Sequence, residues 1–238
     1  MDEAEARYRK AIQMQPDYAP AFNNLGVAQR AQGQVDEAIR TYQEGLLHSG
    51  DYPDLHYNLA NALIARGRNA EAAEHLKRAL AFAPGSAASH NNLGMALAAE
   101  GRLADAVFEF RAAVAADPGS ALAHRNLGNA LATLGGTAEA LASLGRAAEL
   151  APGDGAARYD YGSLLLEAGR FGTAEAEFRA ALLAEPGNVE AMNNLGIALA
   201  NQGRLADALV QFEHAVHLKP DFADALKNRE MARQALRR

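Results

Sequence analysis

The chain has 238 residues, 49% of them hydrophobic and 22% charged, with a net charge of −6. A net acidic chain without a Lys/Arg cluster lacks the electrostatic footprint of a nucleic-acid binder, and the basic tail (Arg229, Arg233, Arg237, Arg238) is too short and mixed to supply one. Absence of cysteine excludes a disulfide framework and a thiol nucleophile, and no apolar run approaches the roughly 18 residues of a membrane span.

Residues 1–18 read as one amphipathic helix. Ala4, Tyr8 and Ala11 fall at helical spacing, and Pro16 stands just beyond its end. The segment Met1-Asp2-Glu3-Ala4-Glu5 is acidic and has no apolar core, so no secretory signal is expected there and the chain reads as soluble and cytoplasmic. Then a repeat sets in. Asn23-Asn24-Leu25-Gly26 returns as Asn91-Asn92-Leu93-Gly94 and Asn193-Asn194-Leu195-Gly196, with looser copies at Tyr57-Asn58-Leu59-Ala60 and Arg125-Asn126-Leu127-Gly128. The small residue closing each copy falls at 26, 60, 94, 128, 162 and 196, a strict 34-residue period. Such a period means a stack of like supersecondary units, each packing on its neighbours.

Six full units are expected, at 19–52, 53–86, 87–120, 121–154, 155–188 and 189–222. In each, a first helix ends at a glycine (Gly33, Gly67, Gly101, Gly135, Gly169, Gly203), the residue that most readily adopts the left-handed turn closing a helix. A second helix runs to Pro84, Pro118, Pro152, Pro186 or Pro220, with Gly50 the exception, and Ser86, Ser120, Asp154 and Asn188 are good N-caps for the helices that follow. No unit shows the period-2 pattern of a strand. Small residues recur in every first helix (Gly26, Ala60, Gly94, Gly128, Gly162, Gly196) and every second helix (Ala38, Ala72, Ala106, Ala140, Ala174, Ala208), so the paired helices can approach closely. Tyr42, Leu76, Phe110, Leu144, Phe178 and Phe212 are the second-helix knobs. Leu25, Leu59, Leu93, Leu127, Tyr161 and Leu195 answer them from the first helix.

Units four and five depart most. Gly135-Gly136, the helix-interior Gly145, Gly155, Asp160, Tyr161 and Gly172 fall there, so the softest seam is expected over 135–175, and Gly145→Ala is expected to stabilise by about 1 kcal/mol. Residues 223–238 begin as another first helix with Ala225 and Asn228 in register. Arg229 and Glu230 replace the leucine and the small residue, as in a polar capping helix. Residue 1 falls in mid-unit, which fits either a half unit or a fragment of a longer protein.

The recurring Asn-Leu-Gly, Gly, Ala, aromatic, Ala and Pro on this period resemble the tetratricopeptide repeat over the whole chain. The asparagine heading the motif is similar to that in repeats of O-linked N-acetylglucosamine transferases, where such residues form a ladder inside the superhelix. The resemblance implies an all-α, right-handed superhelical solenoid of antiparallel helix pairs with first helices on the concave side.

No glycine-rich phosphate loop, nucleophile elbow or His-Glu-x-x-His motif is present, so no catalytic residues and no cofactor are expected. His56, His90 and His124 recur at the repeat period and would lie ~10 Å apart on neighbouring units, too far to share a zinc ion ~2 Å from each ligand. They read as packing residues. His214 and His217 lack a third ligand and read as solvated, as do Asp105 and Glu109, so no metal site is expected.

The binding surface is read from the first helices. Asn24, Asn58, Asn92, Asn126, Asp160, Asn194 and Asn228 form one column, flanked by Asn23, Tyr57, Asn91, Arg125, Tyr159, Asn193 and Lys227. One turn on stand Val27, Asn61, Met95, Asn129, Ser163 and Ile197. Asparagine is a poor helix former, so its recurrence in mid-helix needs a reason. Side-chain amides can donate to a peptide carbonyl and accept from a peptide N–H, holding extended backbone without reading its sequence. They can equally bond within or between repeats and hold the superhelix. A chaperone-type carboxylate clamp does not fit, because Asp160 and Glu190 follow Arg125 and Asn129. The expected function is a non-catalytic scaffold for a protein or peptide partner. The alternatives are a substrate-recruiting arm of a larger enzyme, such as a glycosyltransferase, and a self-assembling scaffold.

Overall fold

The computed structural model describes residues 3–237, and every regular element among them is an α-helix. The chain divides into two compact units, Met1–Pro118 and Gly119–Arg238. The first contains α1 (Glu3–Met14), α2 (Ala19–Ala31), α3 (Val35–Ser49), α4 (Pro53–Ala65), α5 (Asn69–Phe82), α6 (Ala87–Ala99) and α7 (Leu103–Ala116). The second contains α8 (Ala121–Thr133), α9 (Thr137–Leu150), α10 (Gly155–Glu167), α11 (Phe171–Ala184), α12 (Val189–Asn201), α13 (Leu205–Leu218) and α14 (Ala223–Leu236). Consecutive helices pair as α2/α3, α4/α5 and α6/α7 in one unit and α8/α9, α10/α11 and α12/α13 in the other. Within each unit the first helices also touch one another, α2 with α4 and α4 with α6, then α8 with α10, α10 with α12 and α12 with α14. The fold is therefore an all-α stack of helix pairs.

The turn inside each pair is set by one residue. The six expected glycines have φ between 71° and 81°, a region in which a Cβ meets its own backbone. In the second pair, the Gly67 N–H donates to the Ile64 carbonyl and the Arg68 N–H to that of Leu63, each at 2.9 Å, closing the last turn of α4. Gly50, which stands where other units have proline, is also left-handed, with φ 71°. Entry into the first helices follows the expected caps. Ser86, Ser120, Asp154 and Asn188 accept from backbone N–H groups of the first turn, Asn188 from Ala191 at 2.8 Å.

Inside each pair the knob residue sits directly on the small residue of the facing helix. A Cβ on Gly94 would lie 2.6 Å from the Phe110 ring, and one on Gly196 2.5 Å from that of Phe212. Tyr42 covers Gly26 in the same way, and Leu144 covers Gly128. The second-helix alanines Ala38, Ala72, Ala106, Ala140, Ala174 and Ala208 are all 0% exposed, so both backbones meet with no larger side chain between them. The one pair with alanine in the glycine column, Ala60, has the shorter Leu76 opposite.

Two departures from the pattern complement each other. Gly145 in α9 leaves the space that Tyr161 of α10 occupies, and a Cβ there would come within 3.2 Å of the Tyr161 ring carbon that bears the hydroxyl. The gain expected for Gly145→Ala from helix propensity alone is therefore opposed by a contact. The last helix also differs from a purely polar cap. It buries Ala225 and Ala232 and pairs Arg233 with Glu213 at 2.6 Å, yet it leaves Met231 59% exposed.

Gly94→Ala should lower stability by up to about 2 kcal/mol, an overpacking cost of about 1–3 kcal/mol set against a helix-propensity gain of about 1. Adding Phe110→Leu, which recreates the Ala60–Leu76 pairing, should recover part of it in urea melts. Simple additivity of the two changes would refute the close-approach argument. By the same logic Gly145→Ala alone should gain less than about 1 kcal/mol, and the full propensity gain should return with Tyr161→Leu.

Candidate functional site

Within each unit the asparagine column lies on the face where first helices stand side by side, and its side chains reach for a particular neighbour. In the first unit Asn58 Nδ2 donates to Asn23 Oδ1 at 2.8 Å. Asn92 Nδ2 donates to Asn61 Oδ1 at 2.7 Å and to the Tyr57 hydroxyl at 3.4 Å. In the second unit Asn194 Nδ2 donates to the Tyr159 hydroxyl at 3.3 Å, and Asn228 Nδ2 to Asn193 Oδ1 at 2.9 Å. Each of these column residues thus reaches a residue 35 positions earlier, on the first helix of the preceding repeat.

Asp160 keeps that rule with the opposite chemistry. Its carboxylate accepts from Arg125 Nε at 2.6 Å and from Asn129 Nδ2 at 2.8 Å, so the cation in the preceding repeat is matched by an anion where an amide would otherwise stand. Arg125 and Asp160 are only 29% and 18% exposed as side chains, so this arginine is held within the fold. The amide donors are largely engaged, whereas several acceptors remain. Asn58 Oδ1 and Asn228 Oδ1 make no hydrogen bond among the described residues, and Asn92 Oδ1 and Asn194 Oδ1 receive only contacts of 3.3 and 3.4 Å from Asn91 and Asn193. Asn24, Asn129 and Lys227 are exposed.

The histidine column plays a second structural part. His56 is 4% exposed, with Nδ1 2.8 Å from His75 Nδ1 and Nε2 3.1 Å from Asp51 Oδ1. His90 lies with Nδ1 2.7 Å from Glu109 Oε2 and Nε2 2.9 Å from the Pro84 carbonyl oxygen. In the same column Arg158 donates to Glu177 at 2.7 Å. All three pairs are 19 residues apart and tie a first helix to its own second helix. Glu109, expected to be solvated, is instead turned toward α6, with its side chain 16% exposed. Among the described residues no three His, Asp or Glu side chains are grouped so as to hold a metal ion, and no helix is long and apolar enough to cross a membrane.

Sequence reading missed His75, which belongs to no recurring histidine column. It also missed the Arg125–Asp160 pair, although both residues are departures from their columns and their spacing of 35 was visible. Burial first, and the neighbouring His56 second, hold the His75 imidazole below its ordinary value, with Arg78 acting the same way and Glu71 and Glu74 opposing. Asp51 is held below the usual carboxylate range, chiefly by its bond to His56.

Because the unfolded chain takes up the His75 proton at higher pH than the folded chain, this group's stability contribution is complete above about pH 6.5. It is lost as pH falls through the lower folded value. The melting temperature should therefore drop between about pH 7.5 and about pH 5.5. His75→Gln, which keeps a hydrogen-bonding partner for His56, should show a smaller drop. Equal slopes for the two proteins would remove the pair as a source of acid sensitivity.

Two models described as tetratricopeptide repeat match residues 8–40 and 29–95, and a third of the same description matches 91–155, 125–182 and 159–223, more than half of the chain. A search of curated proteins finds no match. Among solved structures, YrrB, described as a TPR protein with an unusual peptide-binding site, is 24% identical over 79% of this chain and 97% of its own, with a TM-score of 0.69. PilF of Pseudomonas aeruginosa is 18% identical over 88% of this chain and 95% of its own, with a TM-score of 0.77. TTC0263, a thermophilic TPR protein of Thermus thermophilus, is 26% identical over 76% of this chain and 99% of its own, with a TM-score of 0.59.

Proposed function

Because the chain belongs to the tetratricopeptide-repeat family, we propose that it is a non-catalytic interaction scaffold holding an extended peptide, or an extended segment of a partner protein, against its first-helix face. The observation that carries this reading is the division of labour within the asparagine column. The Nδ2 groups of Asn58, Asn92, Asn194 and Asn228 are engaged in ties between repeats, while the Oδ1 acceptors of Asn58 and Asn228 receive no hydrogen bond among the described residues. Open or weakly engaged acceptors on adjacent repeats, Asn58 and Asn92 in one unit and Asn194 and Asn228 in the other, suit the N–H groups of an extended backbone, whose side chains alternate away from them. The similarity of this column to the asparagine ladder of O-linked N-acetylglucosamine transferase repeats supports the same mode. So does the peptide-binding site described for YrrB. The Arg125–Asp160 pair argues against a clamp for a peptide carboxylate, since the cation already has its anion.

The test is selection of binders from a random peptide library with the full chain, followed by titration of a selected peptide against the double variant Asn58→Ala, Asn92→Ala. The variant should lose ties worth roughly 0.5–1.5 kcal/mol each, and it should therefore melt lower than wild type. At a temperature where it remains folded, affinity for the peptide should fall about 2- to 10-fold per lost acceptor. Unchanged affinity in the folded variant would leave the column a purely structural device.

A further inference from the structure

Along the first-helix face of the second unit the composition changes. The positions one turn beyond the asparagine column run Asn129, Ser163, then Ile197 and Met231. Ile197 on α12 and Met231 on α14 flank a pocket of about 260 Å³, backed by Leu205 and Phe212 of α13. On the α14 side the lining includes two small residues, Ala232 and Ala235. Its volume falls below the roughly 300–1,000 Å³ of drug-sized ligand sites, which suits one large side chain.

Two polar groups border it. Asn228 gives its Nδ2 to Asn193, and its Oδ1 makes no hydrogen bond among the described residues. Lys227 is exposed and forms no ion pair among the described residues. It lies one helical turn before Met231, on the same face of α14. Nearby acids are otherwise engaged or placed: Glu230 accepts from Gln234 at 3.0 Å, Glu190 lies 4.0 Å from Lys219, and Asp224 stands in the first turn of α14, where the helix dipole favours an anion.

We propose that this pocket anchors a large apolar side chain of the peptide bound on the first-helix face, with an acidic residue two positions away meeting Lys227. The inference deepens the peptide-scaffold reading and rests on it. The spacing comes from geometry, for a segment that leaves the asparagine row at Asn228 and follows the axis of α14. In an extended chain, side chains two residues apart point the same way at about 6.7 Å, close to the roughly 6 Å rise that separates Lys227 from Met231. Asn228 Oδ1 accepts a backbone N–H between them. The occupant is thus an extended segment with one aromatic or large aliphatic residue and an Asp or Glu at the second position from it.

The experiment uses the full chain and a fluorescently labelled peptide, Ser-Gly-Phe-Ser-Glu-Gly-Ser, in anisotropy titrations. Replacing its Phe by Ala, or making Met231→Ser in the protein, should weaken binding about tenfold or more, the loss expected from an unburied large apolar side chain. Lys227→Glu should weaken binding, and a peptide with Lys in place of its Glu should recover it. Binding that ignores Met231 and Lys227, while library-selected peptides still respond to Asn58 and Asn92, would overturn the pocket assignment and leave the scaffold reading standing. Absence of any selectable peptide would overturn both. Concentration-dependent sedimentation abolished by Met231→Ser would assign the pocket to a second copy of this chain and likewise overturn the proposal.

Discussion

The structure depends on how closely the two helices of a repeat approach. A ring or branched side chain from the second helix rests where the first helix has little or no side chain, as Phe110 does on Gly94 and Phe212 on Gly196. That seat fixes the separation and rotation of the pair, because an added methyl on one side collides with the knob on the other. The left-handed glycine in the intervening turn makes the approach possible by reversing the chain without extra length. With one face of each first helix consumed by its knob, another face remains for polar side chains. The asparagine column occupies that face.

Two sets of polar bonds then hold the stack in different directions. Those spanning 19 residues, such as His90 with Glu109 and Arg158 with Glu177, join the two helices of one pair. Those spanning 35 residues join first helices of neighbouring pairs within a unit. In both sets the chemistry changes from repeat to repeat while the geometry does not. An amide meets an amide or a phenol in most repeats, and a guanidinium meets a carboxylate at Arg125 and Asp160. A substitution on one side of such a bond is intelligible only beside its partner one period and one residue away.

The fold was legible in the sequence because it repeats. A fixed period, a glycine at each turn and a cap at each restart are local signals whose structural consequence is nearly unique, and Ser86, Asp154 and Asn188 cap the helices they were expected to cap. The face carrying the asparagine column was legible for the same reason, since helical periodicity assigns a residue to a face. Which way its amide leans was not, because rotamer and partner depend on the neighbouring repeat. The departures of unit four were read singly, so Gly145 looked like a weakness rather than the recess for Tyr161. His75 carried no periodic signal at all, and its contact with His56 exists only once α4 and α5 have packed.

Each of the five bonds described above that span 35 residues ties a column side chain to a residue nearer the N-terminus. A ribosome delivers the partners in that order. As each column residue emerges, the group it must reach has already left the exit tunnel with a repeat able to fold ahead of it. Assembly within each unit can therefore advance like a zip closing behind the growing end. The nascent tail waits for its own second helix to seat the knob, and the repeat before it is already in place to receive the tie.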